Sequence, residues 1–205
     1  MKIYVPRDAA ARALGADAVA AAFEAAGHAV IRNGTRGMIW LEPLVEIEEN
    51  GQRRAYGPVA PEDVACILEG RIESLGAVED IPFFARQHRL TFARCGLIDP
   101  LSLSDYEANG GLAGLRRAID LGPEGIVAEV KESGLRGRGG AGFPTGIKWE
   151  TVQKAQAPQK YIVCNADEGD SGTFADRMLM EGDPFTLIEG MVIAGLGVGA
   201  EQGYV

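Results

Sequence analysis

The sequence predicts an α/β protein with a small, thioredoxin-like amino-terminal unit followed by the start of a second α/β domain. Two observations predict this class. Along the first 70 residues, short apolar or alternating segments typical of strands are interspersed with helical patterns. Further on, a loop with six glycines in thirteen residues, from Gly134 to Gly146, lies between a helical segment and a buried strand. Other small sandwich folds fit the first unit equally well.

The elements of the first unit follow in order from local signals. Asp8 suits the N-cap of an alanine-rich helix that Gly27 ends. Asn50 and Gly51 predict a hairpin turn between two strands, and Pro61 opens a final helix. The predicted order is therefore β-α-β-β-α. The strands are expected at residues 2–5, 28–32, 44–48 and 53–56, with a possible extra strand at residues 38–41.

The domain organisation predicted from these patterns has three parts. Residues 1–75 are expected to form the thioredoxin-like domain, without cysteine ligands for an iron–sulfur cluster. Residues 76–110 are expected to form a connector, and residues 111–205 the second domain. Within the second domain, helices are expected at residues 112–119, 123–132, 147–155 and 184–195, and a buried strand at residues 160–165.

Composition excludes several classes of protein. The formal net charge of -9 argues against a nucleic-acid binder, which needs a basic face. No apolar run approaches the roughly 20 residues that span a bilayer, and the first residues lack the apolar core of a signal peptide. Cys66, Cys95 and Cys164 form no C-x-x-C pair, which predicts reduced thiols, no metal site and a cytoplasmic location.

The glycine loop is the segment whose chemistry is most specific. Without Cβ atoms, successive backbone N–H groups can form a nest for a phosphate. Arg136, Arg138 and Lys148 add positive charge, and a helix starting near Ile147 adds its positive end. Residues 137–142 also match G-x-G-x-x-G, but a helical segment rather than a strand precedes them. A self-contained Rossmann dehydrogenase and a purely structural loop remain alternatives.

A second polar segment follows the predicted buried strand at residues 160–165. It contains Asn165, Asp167, Glu168 and Asp170. Ligands of open α/β sheets bind beyond the carboxyl ends of strands, where these side chains would accept hydrogen bonds from ribose or ribityl hydroxyls. The alternative is a solvated acidic turn able to bind a metal ion.

Together, the two segments resemble the flavin- and NADH-binding subunit of respiratory complex I and its soluble relatives. The run GLRGRGGAGFPTGIKW is similar to that family's flavin loop, and NADEGDSGTFADR to its second loop. The resemblance extends from about Arg89 to the last residue. The run Gly169-Asp170-Ser171-Gly172 is more similar to NAD-reducing hydrogenases and formate dehydrogenases than to complex I. The amino-terminal unit is similar to the beta subunit of NAD-dependent formate dehydrogenases, which the whole chain therefore resembles most.

This resemblance implies FMN and NAD(H) as cofactors. The flavin would carry the chemistry, so no catalytic residue is expected. Thr151 stands where complex I has an aromatic residue and Asp170 replaces a glutamate, which leaves the choice of NAD or NADP open. Phe143 also suits a core position. The residues implied for FMN are Gly137, Arg138, Gly139, Gly140, Lys148, Asn165, Asp167 and Glu168, and those implied for NADH are Phe143, Glu168 and Asp170.

The resemblance also implies a diaphorase module within a larger assembly. Its partners would be the iron–sulfur and molybdenum-containing subunits of a formate dehydrogenase. The family continues beyond this sequence, so the second domain is expected to be incomplete, and a [4Fe-4S] cluster is expected only in a carboxyl-terminal continuation. Alternatives are a hydrogenase or complex I diaphorase and, in another class, a non-catalytic scaffold that docks subunits.

Overall fold

The computed structural model describes residues 1–205 and divides into two compact α/β units. Unit 1 comprises Met1–Asn109 and Asp170–Pro184, and unit 2 comprises Gly110–Gly169 and Phe185–Val205. None of the helices is both long enough and apolar enough to cross a membrane. The division into a thioredoxin-like domain, a connector and a cofactor domain remains a prediction.

Unit 1 is built on one four-stranded sheet. Its order is β2-β1-β3-β4, with β1 parallel to β2 and antiparallel to β3, and β3 antiparallel to β4. Asn50 and Gly51 take left-handed φ angles of 53° and 79° in the turn that the sequence predicts. The predicted order β-α-β-β-α is confirmed, while the thioredoxin-like assignment remains a prediction. The strands are β1 Lys2–Tyr4, β2 Val30–Ile31, β3 Val45–Glu49 and β4 Gln52–Tyr56.

Two local predictions in unit 1 are wrong. The single alanine-rich helix is two helices, because Gly15 takes a φ of 103° that a helix interior excludes. The possible strand at residues 38–41 is a 3-10 turn, since its amides bond three residues back instead of across a ladder. The helices of this region are α1 Ala9–Ala13, α2 Ala16–Ala25 and α3 Val64–Leu68, the last preceded by a 3-10 turn at Pro61–Asp63.

The core of unit 1 lies between the sheet and its helices. Val19 and Phe23 of α2 are fully buried against Ile3 and Val5, and α3 contributes Ile67. The first acidic residue of β3 is not solvated, however. Glu46, only 1% exposed, forms an ion pair with the equally buried Arg36 at 2.7 Å and with Arg53 at 3.2 Å.

The remainder of unit 1 contains short helices that the sequence did not predict. The segment at residues 170–184 returns to unit 1 through specific bonds. Ala9 donates its amide to Glu181 at 2.8 Å, and Arg94 pairs with buried Asp183 at 2.9 Å. These helices are α4 Pro82–Ala85, α5 Leu103–Ala108 and α8 Ala175–Gly182, with a 3-10 turn at Val78–Asp80.

Unit 2 packs three helices beside a two-stranded parallel sheet. The first helix contains a break at Gly122, with φ 68° and ψ 174°, followed by Pro123, so the predicted pair of helices is confirmed. The predicted helices near residues 147 and 184 are confirmed. A strand near residue 161 is also confirmed, but the prediction that it is buried is wrong. Tyr161 is 47% and Val163 71% exposed, because the strand belongs to a sheet of only two strands. The elements are α6 Ala113–Glu132, α7 Thr145–Lys154, α9 Pro184–Val198, β5 Tyr161–Val163 and β6 Gln202–Tyr204.

Long-range polar contacts fasten the helix ends of unit 2. The N-cap residue of α6, Leu112, has no side chain that could accept a hydrogen bond from the first turn. The carboxylate of Glu189 instead accepts hydrogen bonds from the amides of Leu112 and Leu115, each at 2.8 Å. A carboxylate at a helix amino terminus is favoured by the helix dipole. Lys160 donates to carbonyls near the carboxyl ends of α7 and α9, at Gln153 and Val198.

Candidate functional site

The glycine loop is closed at its base and open at its tip. Thr145 donates its amide to the Leu135 carbonyl, and Gly137 donates to the Phe143 carbonyl, both at 2.8 Å. An antiparallel bridge between Arg136 and Pro144 lies between these two bonds. The base therefore has the hydrogen bonding of a short hairpin, which fixes where the tip lies relative to α7.

The amides at the tip are free to bind a ligand. No backbone N–H from residues 138–142 donates a hydrogen bond within the chain. Arg138 donates from Nη1 to the Arg136 carbonyl at 2.7 Å, and this bond folds its guanidinium back over the loop. A run of exposed, unpaired amides is the arrangement that forms an anion nest.

Lys148 and Phe143 lie beside the loop and contact each other. The Lys148 ammonium lies 5.9 Å from the centroid of the Phe143 ring. A Cβ placed on Gly137 would lie 3.1 Å from Lys148 Nζ, so this glycine makes room for the lysine. Lys148 makes no ion pair or hydrogen bond through its ammonium, which leaves three donors for a ligand. Of the predicted site residues, Gly137, Phe143 and Lys148 are thus brought together.

The position of Lys148 depends on the close packing of α7 against α6. A Cβ on Gly146 would lie 2.6 Å from both the Cα and the backbone nitrogen of Lys131, closer than real carbon atoms approach. Lys131 also pairs with Glu150 on α7 at 3.0 Å. Pro144 provides no side-chain cap for α7, so the amino terminus of this helix is left open next to the loop.

The second polar segment lies immediately after β5. Asn165 accepts the amide of Asp167 on its side-chain oxygen at 3.2 Å, which forms a local turn. Glu168 has a φ of 49°, unusual for a residue with a side chain. The side chains of Asn165 and Asp167 are exposed and that of Glu168 is half-buried, so all three are accessible from solvent.

Asp170 is grouped differently from the other predicted residues. It is the first residue of the segment that belongs to unit 1, and its carbonyl accepts the amide of Thr173 at 3.2 Å. The remaining predicted residues, from Gly137 to Glu168, belong to unit 2.

Two residues that sequence reasoning missed support the site indirectly. Gly146 stood out only as part of the loop, although its lack of a side chain allows α7 to pack closely against α6. Glu189 fixes the start of α6, the helix on which α7 rests. The position of Gly146 immediately before a predicted helix start was a usable signal for this residue. No local pattern pointed to Glu189, because its partners are more than seventy residues away.

Comparison with known proteins identifies the segment that carries this site. Residues 130–205 match the family model described as the Nuo51 FMN-binding domain. The match begins in the last turn of α6 and includes the glycine loop, α7 and the polar segment after β5. Over these residues the chain is similar to the complex I flavin subunits. The match supports FMN, and the matched NADH-oxidising relatives support NAD(H), as the cofactors.

Individual relatives agree with this relationship. The chain is 52% identical over 120 residues to the NADP-reducing hydrogenase subunit HndC of Solidesulfovibrio fructosivorans, a match covering 58% of this chain and 24% of that protein. It is 58% identical over 104 residues to an NADH-quinone oxidoreductase subunit of Rhizobium meliloti, covering 50% of this chain and 25% of that protein. The chain thus spans about a quarter of the length of these relatives.

A solved structure aligns over nearly the whole chain. It is a crystal structure of an NAD+-reducing NiFe hydrogenase in the H2-reduced state, and the alignment covers 98% of this chain and 35% of the other. The aligned residues are 29% identical and the TM-score is 0.44.

Proposed function

We propose that this chain is part of a diaphorase module that binds FMN and NAD(H) and transfers hydride between the nicotinamide and the flavin. The observation that carries the proposal is the loop of unpaired amides at residues 138–142 beside the unpaired ammonium of Lys148. When bound, FMN supplies the hydride chemistry and the single-electron chemistry that passes electrons to iron–sulfur clusters.

The residues present fit such a cofactor. The free amides suit an anionic group approaching the loop backbone, and no side chain blocks that approach at Gly139 or Gly140. Lys148 would stabilise negative charge on a ligand as a preorganised cation. The exposed Phe143 ring offers a surface for stacking, and Asn165, Asp167 and Glu168 offer acceptors for hydroxyl groups.

The sharpest test is the substitution Gly139→Ala. The added methyl would meet no atom within 4 Å, and Gly139 does not take a left-handed φ, so folding is expected to be unchanged. If FMN lies against this backbone, the methyl would hold it away and weaken FMN binding about tenfold or more, since ~1.4 kcal/mol suffices for a factor of ten. The dissociation constant is measured from the quenching of flavin fluorescence.

Gly190→Ala is the matched control for that substitution. Gly190 also has open space around its Cβ position but lies in the middle of α9, outside the loop. FMN affinity is expected to be unchanged in this variant. Equal FMN affinity in Gly139→Ala and in the parent protein would show that the cofactor does not contact the loop tip.

Lys148→Ala tests the electrostatic part of the site. The substitution removes the unpaired ammonium beside the loop, and we expect weaker FMN binding and a shifted flavin reduction potential. Lys154→Ala, on the same helix but paired with Glu150, is the control. Unchanged affinity together with an unchanged potential in Lys148→Ala would remove this residue from the site.

A spectrum separates the proposal from its rivals. The purified protein, with the subunits that accompany it, should show flavin absorption at about 450 nm that bleaches when NADH is added. A Rossmann dehydrogenase would bind NAD without the flavin bands. A docking scaffold would form a stable complex but contain no chromophore.

The assembly to which the module belongs is a narrower proposal. The curated relatives include a hydrogenase subunit and NADH-quinone oxidoreductase subunits, and they favour a diaphorase of the hydrogenase or complex I kind. The Gly169–Gly172 variant and the amino-terminal unit are the features that motivate a formate dehydrogenase. Co-purification with a molybdenum subunit would support the formate dehydrogenase, and a nickel–iron subunit would refute it. The cytoplasmic location remains a prediction.

A further inference from the structure

Unit 1 contains a cavity that the proposed cofactor site does not use. Its volume is about 760 Å³, within the range of roughly 300–1,000 Å³ typical of small-molecule sites. All its lining residues belong to unit 1, and come from the start of α1, the segment at residues 35–39, residues 83–92 and α8 with the residue before it. The walls are mostly apolar, with the aromatic rings of Phe83, Phe92 and Phe174 among them.

Arg89 is the unexplained group in this cavity. It lines the cavity, and its Nε and Nη1 atoms are buried without a hydrogen-bond partner. The guanidinium rests on the ring of Phe84, with Cζ 4.8 Å from the centroid, but no carboxylate pairs with it. Leaving a buried charged donor without a hydrogen-bond partner costs more than leaving a neutral one without a partner. A native structure that keeps such a group has a reason to keep it.

The neighbouring arginine cannot share its partner with Arg89. Arg36 also contacts the Phe84 ring, at 5.3 Å, and its guanidinium is held by two bonds to Glu46 at 2.7 and 2.8 Å. Burial, together with the positive charge of Arg36, lowers the pKa of Arg89. A bound anion would relieve both the repulsion and the missing hydrogen bonds.

The lining also includes acidic groups that would orient such an anion. Asp8 is 5% exposed, caps α1 through Oδ1, and has a buried Oδ2 without a partner. Burial raises the pKa of Asp8, and the nearby Glu181 raises it further. Both residues line the cavity, so the anionic end of a ligand is disfavoured next to them and favoured at Arg89. The Oδ2 atom is left to accept a hydrogen bond from a donor on the ligand.

We propose that this cavity binds a small carboxylate with an apolar body, with its carboxylate paired to Arg89 and its body against the aromatic wall. The occupant is a free small molecule. The unpaired guanidinium selects the anionic head group, the lining selects the apolar body, and Asp8 offers an acceptor for a hydroxyl on that body. The site is separate from the glycine loop and does not depend on the function proposed for it.

The test uses octanoate as the probe and isothermal titration calorimetry of the full protein, with any subunits that accompany it. Octanoate is expected to bind at one site per chain, more tightly than the uncharged 1-octanol. Arg89→Gln should weaken octanoate binding about tenfold or more, the effect of losing ~1.4 kcal/mol. The control Arg86→Gln alters an exposed arginine just outside the lining and should change nothing.

Several results would overturn the proposal. Equal binding of octanoate and 1-octanol to the parent protein would show that the carboxylate is not recognised, and this comparison needs no variant to fold. Parent-like octanoate affinity in Arg89→Gln would exclude the arginine. Binding to the free chain that disappears in its assembly would show that a protein segment, and not a small molecule, fills the cavity.

Discussion

Glu42 makes the stability of unit 1 depend on pH. Its side chain is 3% exposed, and it accepts hydrogen bonds from the Thr35 hydroxyl at 2.5 Å and from the Leu44 amide at 2.8 Å. These bonds do not offset the loss of water, and burial raises the pKa of Glu42 from an ordinary 4.5 to about 7. The nearby carboxyl groups of Asp8 and Glu46 raise it further.

The raised pKa of Glu42 determines whether stability rises or falls with pH. Because the pKa is higher in the folded state, the unfolded chain releases this proton first, and stability falls as pH rises. The contribution is fully present below about pH 4.5 and is lost as pH rises through about 7. At about 1.36 kcal/mol per pH unit, the whole change is about 3 kcal/mol, an upper figure for a buried group.

Glu42→Gln tests this reasoning. The amide keeps the shape of the side chain and removes the ionisation, so the free energy of unfolding should rise relative to the parent by about 2–3 kcal/mol between pH 5 and pH 8.5. Urea unfolding followed by circular dichroism measures it across that pH range. Glu49→Gln, at an exposed position at the end of β3, is the control. A stability difference between Glu42→Gln and the parent that does not vary with pH would refute the assignment of a raised pKa.

Two further predictions concern the support of the glycine loop in unit 2. Gly146→Ala should lower the free energy of unfolding by about 1–3 kcal/mol, because the methyl would overlap the backbone of Lys131; an unchanged urea midpoint would contradict the close approach of α7 to α6. Glu189→Gln should cost about 1–3 kcal/mol, because one first-turn amide of α6 would lose its acceptor; the same measurement on Glu201→Gln, at an exposed position, is expected to show no change.

Local signals predicted those parts of the fold that depend on neighbouring residues. The turn at Asn50 and Gly51 and the helix break before Pro123 follow from backbone preferences that a few residues decide. The split at Gly15 was missed because the alanines on both sides suit a helix and a single glycine is tolerated within one. Gly15 takes its left-handed φ at the end of α1, where its amide donates to the Arg12 carbonyl.

Contacts between residues far apart in the chain could not be predicted from local sequence patterns. Nothing near Asp183 or Glu189 signals that the first pairs with Arg94 or that the second caps α6. The buried state of Glu46 was hidden for the same reason, since an alternating acidic strand is typical of a solvated face. Its burial depends on Arg36, which comes from a loop ten residues earlier.

For the site, the sequence predicted which residue types would form the anion nest, and the structure shows how they are arranged. Glycine content and the flanking cations predicted an anion nest, and Lys148 does lie against the loop beside Gly137. What composition could not predict is that two backbone bonds close the base and leave the tip unpaired. These bonds depend on the register between residues 135–137 and 143–145, which no spacing rule specifies.

The glycines of this loop differ in what the fold demands of them. Gly140 and Gly142 take left-handed φ angles of 100° and 60°, and Gly146 is packed against another helix, so the fold itself accounts for all three. Gly139 has neither a left-handed φ nor a neighbour within 4 Å. A glycine that the chain's own structure does not require, in the middle of unpaired amides, is what a loop needs when another molecule must approach its backbone. Gly139→Ala therefore tests whether ligand binding requires a glycine at this position, because folding does not.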